Sequence, residues 1–240
     1  MRLNKYIAQC GICSRRKADD LISEGRVSVN GNRVLEHGTQ VDNEDQIHVD
    51  GKLIQLERYF EYYLFRKPKG VITSVSDDRD RETVIDFINS DARLFPVGRL
   101  DYQTSGVLLL TNDGEFCNKL SHPSFSVDKI YEVKINRPLS DEELDKLRHG
   151  VVIDKKKTHP CTVSVISDTK EFVIRMTIHE GRNRQIRKMI EAIQAKVKRL
   201  DRVSYAGLTY QGLRSGEYRD LTKKEINQLK NLVSKSVENS

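Results

Sequence analysis

The pattern of hydrophobic and polar residues changes character near residue 56, which predicts two parts of different construction. In the first part, hydrophobic residues recur at helical spacing over Leu3–Cys10 and again over Ala18–Ile22. Gly11 interrupts the first pattern, and Ser14 stands where it can cap the N-terminus of the second helix. The chain is therefore expected to open with a pair of short helices.

Two short hairpins are predicted after these helices. An alternating run at Val27–Val29 precedes Asn30-Gly31, and a second run at Ile47–Val49 precedes Asp50-Gly51. Asn-Gly and Asp-Gly are the preferred dipeptides of two-residue hairpin turns. We expect residues 1–56 to form a small domain with a helix pair and a β-ribbon, followed by a linker at 57–62.

Residues 63–240 predict a larger α+β domain, because most of their hydrophobic runs are short or alternate with polar residues. Strands are expected at residues 63–65, 71–74, 94–97, 107–111, 130–135 and 172–178. Helices are expected near residues 82–89, 140–148, 183–194 and 222–233. Together these elements predict a largely antiparallel, mixed sheet with flanking helices.

Charge adds a class of partner to this picture. The 240-residue chain carries a net charge of +6, and its 37% hydrophobic content is enough for a core. Seven Lys and Arg against three acidic residues fall in 1–35, and nine against three in 175–204. Two such basic clusters indicate either two surfaces that grip one polyanion or ordinary solvated helices.

Some classes of protein are disfavoured by the same composition. No hydrophobic run approaches the roughly 18 residues of a membrane span, and the N-terminus lacks the pattern of a secretory signal. We therefore expect a cytoplasmic protein without a membrane partner. Cys10 and Cys13 form a lone C-x-x-C without a second ligand pair, so they are expected to pack at a helix corner rather than bind metal.

A charged loop between two hydrophobic runs is the strongest candidate for chemistry. Arg99 and Asp101 precede Ser105-Gly106, at a place where a sheet edge often meets a cleft. From the residues alone, Asp101 is either a catalytic carboxylate or a turn residue that caps its own backbone.

Several ordered motifs resemble one family. Residues 14–18 (SRRKA) and 27–31 (VSVNG) resemble the signature of the S4-type RNA-binding domain. The segments 99–114 (RLDYQTSGVLLLTNDG), 129–133 (KIYEV), 180–189 (EGRNRQIRKM) and 216–222 (GEYRDLT) resemble, in order, the motifs of RNA pseudouridine synthases of the RsuA/RluB-like branch. The resemblance covers residues 1 to about 230.

This resemblance implies a function and roles for particular residues. A uridine in ribosomal RNA, of the large subunit in preference to the small one, would be isomerised to pseudouridine without a metal or organic cofactor. Asp101 would be the catalytic carboxylate, Tyr131 would stack on the uracil, and Arg187 would pair with Asp101. Arg99 would either fill the space of the flipped base or contact phosphate.

The remaining implied residues bind RNA. They are Arg15, Arg16, Lys17, Arg182, Arg184 and Lys188. Helical periodicity independently places Arg187 nearer the hydrophobic stripe of its helix than Arg184 or Lys188. The expected partner is a structured stem-loop, free or in an immature ribosomal particle, bound by a monomer.

Two other functions are open at this stage. One is a non-catalytic S4-type RNA-binding factor, which explains the basic clusters but not the ordered motifs around Asp101, Tyr131 and Arg187. The other is a DNA-modifying or glycosylase-like enzyme, for which the sequence offers no DNA-reading motif.

Overall fold

The computed structural model describes residues 1–56 and 59–235, which form two compact units. The first unit comprises Met1–Glu61 with Ser90–Leu94 and Asn112–Gly114, and the second comprises the rest. Residues 57 and 58 of the predicted linker lie outside the described residues. At residue 62 the chain already begins a strand of the second unit.

The first unit contains the predicted helix pair and hairpins. Its elements are α1 (Leu3–Gln9), α2 (Arg15–Ser23), β1 (Val27–Val29), β2 (Asn32–Arg33), β3 (Ile47–Val49) and β4 (Lys52–Leu53). Ser14 caps α2 as predicted, since its Oγ accepts a hydrogen bond from Lys17 N at 3.2 Å. Asn30 and Gly31 both have positive φ, 52° and 82°, as this tight turn requires. The two hairpins join in one sheet of order β2-β1-β3-β4.

The second unit is an α+β domain, as predicted. Its strands are β5 (Tyr62–Lys67), β6 (Phe95–Val97), β7 (Ser105–Thr111), β8 (Lys129–Ile135), β9 (Val152–Ile153), β10 (Lys156–Lys157), β11 (Thr162–Ser167), β12 (Phe172–Ile178), β13 (Val197–Tyr205), β14 (Leu208–Thr209) and β15 (Tyr218–Asp220). Its helices are α3 (Gly114–Ser121), α4 (Asp141–His149), α5 (Gln185–Ala192) and α6 (Lys223–Lys235), with a 3₁₀ turn at Pro123–Phe125.

A nine-stranded mixed sheet organises this unit, with the order β11-β12-β8-β13-β7-β5-β15 and with β6 and β14 paired to β7 and β13. Every pairing in it is antiparallel except that of β7 with β13. The prediction of a largely antiparallel mixed sheet with flanking helices is therefore confirmed. Strands β7 and β13 lie at its centre and carry the residues that matter below.

Two predicted elements are wrong. Residues 71–74 do not form a strand, and residues 82–89 do not form a helix. Instead, Ile72 and Thr83 make an isolated parallel bridge, in which Val84 N donates to Ile72 O at 2.9 Å. The carboxylate of Asp86 accepts from both the amide and the hydroxyl of Thr83, which closes a local turn in place of a helix.

Several elements of the second unit were not predicted, namely α3, the 3₁₀ turn, and the strands β9, β10, β11, β13, β14 and β15. Helix α3 starts at Gly114, directly after a segment that reads as a turn. Strand β13 was missed because most of its residues are polar or charged. In the part of the chain that the structure describes, none of the helices has the length and hydrophobicity to cross a membrane.

Candidate active site

Asp101 lies in the loop between the antiparallel neighbours β6 and β7. Thr104 N donates to Asp101 O at 2.9 Å, which closes a turn. Thr73 Oγ1 anchors the loop, because it donates to Leu100 O at 2.8 Å and accepts from Leu100 N at 3.2 Å. The side chain of Asp101 is half-buried and makes no hydrogen bond to the residues that the structure describes. Its carboxylate is therefore available to a ligand.

Gly106, just after this loop, allows the central strands to come together. Its φ is +114°, and a Cβ on it would lie 2.2 Å from the carbonyl oxygen of Arg202. Gly106 and Arg202 are register partners in the parallel pairing of β7 with β13. Glycine at position 106 is thus required by the close approach of two backbones.

Lys67 stabilises the Asp101 loop through hydrogen bonds to its backbone. Its side chain is fully buried, and Nζ donates to Pro68 O at 2.9 Å, to Thr104 O at 3.0 Å and to Asp101 O at 3.4 Å. Burial lowers the pKa of Lys67 to about 8; Asp101 opposes this shift and Arg202 adds to it. The sequence does not single out Lys67, since nothing in the Lys67-Pro68 dipeptide indicates complete burial.

A cavity of about 380 Å³ opens beside Asp101, within the usual range of small-ligand sites. Its walls come from the Asp101 loop, from β8, from β13 and from the segment that enters α5. The polar and charged side chains that line it are Arg99, Asp101, Thr104, Ser121, Lys129, Tyr131, Arg182, Asn183, Arg184, Gln185, Arg202 and Tyr205. Among the described residues, Asp101 is the only acidic one in the wall, against five Lys and Arg. Such a cavity suits an anionic ligand.

Tyr131 forms part of the floor. It is 8% exposed, and in β8 it is paired with Arg202 of β13 and Met176 of β12. Its face of β8 also carries the buried Val133 and Ile135, as the alternation predicted. The structure therefore places the ring of Tyr131 in the same cavity as the carboxylate of Asp101.

Arg187 contacts the Asp101 loop but not the Asp101 carboxylate. Its Nη2 donates to Gln103 O at 2.8 Å, while its buried Nε has no partner among the described residues. Burial lowers the pKa of Arg187, Arg184 lowers it further, and Asp101 opposes the shift. The predicted close ion pair of Arg187 with Asp101 is not formed in the described chain. Instead, Arg187 holds the loop two residues beyond Asp101 and attracts the carboxylate from a distance.

Two predicted RNA-binding side chains are occupied within the protein. Arg182 donates from Nη1 to Lys156 O at 3.0 Å and from Nη2 to Ile153 O. Lys188 pairs with Asp154 at 2.7 Å. Both side chains therefore fasten the β9–β10 hairpin to the segment that carries α5. These contacts could not be predicted from the sequence, because the hairpin lies about 30 residues before α5. The RNA-binding roles of Arg182 and Lys188 stay predictions.

The other predicted RNA-binding residues present their charge to solvent. Arg184 and Arg99 are exposed and have no hydrogen-bond or ionic partner among the described residues. In the first unit, Arg15, Arg16 and Lys17 form the exposed first turn of α2, and only Lys17 has a weak partner, Asp20 at 3.8 Å. These five cations are free to meet phosphates.

The predicted C-x-x-C pair, Cys10 and Cys13, lies in the first unit. Cys10 and Cys13 are partly buried against the core of the first unit, as predicted, and burial raises the pKa of Cys13. Within residues 1–56 and 59–235, no three His, Cys, Asp or Glu side chains group closely enough to hold a metal ion.

A carboxylate in a cavity otherwise lined by Lys and Arg is typical of an enzyme that acts on an anionic substrate. Comparison with known families supports this class: residues 61–192 match RNA pseudouridylate synthase, and residues 1–47 match the S4 domain. The chain belongs to the RNA pseudouridylate synthase family and carries an S4 domain. It is therefore an enzyme that isomerises uridine in RNA, and its predicted family membership is confirmed.

Individual relatives match over almost the whole chain. "Ribosomal large subunit pseudouridine synthase B" of Bacillus subtilis is 47% identical over 97% of this chain and 96% of its own length. "Dual-specificity RNA pseudouridine synthase RluF" of Escherichia coli K12 is 38% identical over 98% of this chain and 80% of its own. A crystal structure of a pseudouridylate synthase superposes with a TM-score of 0.71 at 29% identity, covering 95% of this chain and 99% of the other.

Proposed function

We propose that this enzyme converts a uridine of large-subunit ribosomal RNA to pseudouridine, with Asp101 as its catalytic carboxylate. The RNA target is supported by the B. subtilis relative, whose name specifies the large ribosomal subunit and which matches 96% of its own length. The role of Asp101 is supported by one observation above all: it is the only acidic side chain among the described residues that line the basic cavity.

The isomerisation needs no atom from outside the RNA. The C1′–N1 bond of uridine breaks, the uracil turns, C5 bonds to C1′, and the proton from C5 is replaced by one on N1. Loss of the C1′–N1 bond leaves C1′ electron-poor, and a carboxylate can stabilise it or bond to it. Asp101 is suited to this task because its carboxylate has no competing hydrogen bond in the described chain.

The neighbouring residues hold the base and the loop. The ring of Tyr131 offers a flat surface for the uracil, since aromatic side chains stack on any base. Arg187 keeps the Asp101 loop in place through Gln103 O and keeps a positive charge near the carboxylate. In this account Arg187 is a positioning residue.

Access to C1′ requires the uridine to leave its stack, at a cost of a few kcal/mol. Arg99 is exposed at the rim of the cavity, where its side chain either fills the vacated position or contacts a phosphate. Residues 1–56 act as the RNA-binding domain through Arg15, Arg16 and Lys17, and residues 63–240 act as the catalytic domain. The enzyme works as a cytoplasmic monomer on a structured stem-loop.

A map of pseudouridine in ribosomal RNA, from cells with and without this gene, tests the proposal. We expect one or a few large-subunit positions to lose pseudouridine and to regain it when the intact gene is restored. A complete map that is unchanged, or a loss confined to small-subunit or transfer RNA, would contradict the proposed target.

A further inference from the structure

Arg202 occupies an unusual position at the centre of the sheet. Between β8 and β13 the register skips Val203, because Arg202 pairs with Tyr131 and Ser204 pairs with Ile130. This bulge brings Arg202 and Tyr205 to the same face of β13, where both line the cavity. The guanidinium carbon of Arg202 lies 4.7 Å from the centre of the Tyr205 ring.

The hydrogen-bonding capacity of this arginine is mostly unused. Its side chain is 2% exposed, and only Nε makes a hydrogen bond, to Val107 O at 2.8 Å. Nη2 is buried without a partner, and Nη1 has none among the described residues. A buried donor without a partner is unfavourable, and more so when it is charged. The fold therefore maintains an unfavourable group beside the cavity.

The charge of Arg202 is also uncompensated. No carboxylate of the described residues lies within 4 Å of its guanidinium, and the adjacent Asp201 is engaged by Ser105 Oγ and Tyr210 OH. Arg202 repels two neighbouring lysines, Lys67 and Lys129, and adds to the lowering of the pKa of each to about 8. Of these three cations, Arg202 and Lys129 line the cavity, in whose described wall Asp101 is the single acidic residue.

We propose that Arg202 binds a carbonyl oxygen of the target uracil and stabilises the negative charge that the base carries while it is detached from the ribose. This inference rests on the proposed function. When the C1′–N1 bond breaks, its electron pair stays on the uracil and spreads from N1 onto the carbonyl oxygens. When C5 bonds to C1′, an electron pair returns to that bond, the C5 proton leaves, and N1 is protonated.

The geometry favours this role over a purely structural one. Only Nε is bound, and the two terminal nitrogens have no partner in the described chain, which leaves their donors for a ligand in the cavity that Arg202 lines. Hydrogen-bond donors that are already in place where charge develops in the transition state lower the activation barrier, and they do so most strongly where water is excluded. Arg202 has these properties, because the sheet buries it and the Val107 carbonyl orients it.

The test combines substitutions of Arg202 with the replacement of single oxygen atoms of the target uracil. An RNA fragment containing the uridine that the wild-type enzyme modifies is synthesised with uridine, 2-thiouridine or 4-thiouridine at that position. Sulfur accepts hydrogen bonds more weakly than oxygen. Single-turnover rates at saturating enzyme are then measured for the wild type, Arg202→Met and Arg202→Lys, with Val203→Ala as a control on the same strand.

We expect Arg202→Met to lower the single-turnover rate on the uridine-containing RNA by roughly 10- to 100-fold. For one of the two thio-RNAs, the ratio of its rate to the uridine rate should differ by about tenfold between the wild type and Arg202→Met. Val203→Ala should keep the wild-type ratios. Arg202→Lys gives the same comparison if the methionine variant does not fold. Ratios that agree within about twofold for both thio-RNAs would overturn the inference. If the wild type modifies no uridine in any fragment of large-subunit ribosomal RNA, the proposed function is overturned instead.

Discussion

Arg182→Met separates two roles for a residue that sequence reasoning assigned to RNA binding. In the structure, the Arg182 guanidinium donates two hydrogen bonds to the β9–β10 hairpin, to Lys156 O and Ile153 O. Methionine keeps much of the hydrophobic stem and removes both bonds. The expected result is a loosened hairpin rather than a lost phosphate contact.

The magnitude follows from those two bonds. Each hydrogen bond contributes about 1 kcal/mol net, so the substitution should raise the opening equilibrium of the hairpin by about 2 kcal/mol, or about 30-fold. Hydrogen exchange should report this at Thr158, whose amide donates to Val151 O at 2.9 Å across the hairpin. RNA binding should keep the wild-type dependence on salt concentration.

Arg184→Met is the matched control, because Arg184 is exposed and without a partner among the described residues. It should leave exchange at Thr158 unchanged and lower the salt-dependence slope by roughly 0.7 for a lost single-strand phosphate contact. The reasoning is refuted if Arg182→Met lowers that slope by the same amount while hairpin exchange stays at the wild-type rate.

Three further predictions concern other parts of the molecule. Changing Arg15, Arg16 and Lys17 to glutamine should weaken RNA binding and reduce its salt dependence while the single-turnover rate stays intact. Arg187→Ala should mainly lose the single-turnover rate. The opposite pattern would refute the assignment of binding to the first group and of positioning to Arg187. Lys67 and Lys129 have a pKa of about 8 in the folded protein and remain protonated to higher pH when unfolded, so the free energy of unfolding should rise between about pH 8 and 10.5. Denaturant titrations of Lys67→Met should show about half of that rise. A rise as large as that of the wild type would contradict this prediction. The Cys10→Ser/Cys13→Ser variant and EDTA-treated enzyme should retain activity in a pseudouridine assay, and inactivation by the chelator would show a metal requirement.

The first unit was predictable because its signals are local. The Ser14 cap and the Asn30-Gly31 turn act within a few residues, and the structure forms both. The central strand β13 was not predictable from alternation. It buries Asp201 and Arg202, and only contacts with distant residues such as Ser105 and Val107 accommodate them.

The candidate site was predicted in part, through motifs rather than geometry. Asp101 and Tyr131 line one cavity, as the order of the motifs implied. The partner of Arg187 was not predictable, because its hydrogen bond goes to a backbone carbonyl that no side-chain pattern reveals. The buried lysine at 67 was missed for the same reason, since its three acceptors are all backbone oxygens.

The most direct test of the account is the single-turnover rate of purified Asp101→Asn on an RNA fragment that the wild-type enzyme modifies. Asparagine keeps the size of the side chain and removes its charge, so RNA affinity should stay within a few-fold of the wild type. We predict no pseudouridine formation when this variant is in excess over bound RNA. Measurable turnover by Asp101→Asn under these conditions would contradict the assignment of Asp101 as the catalytic carboxylate.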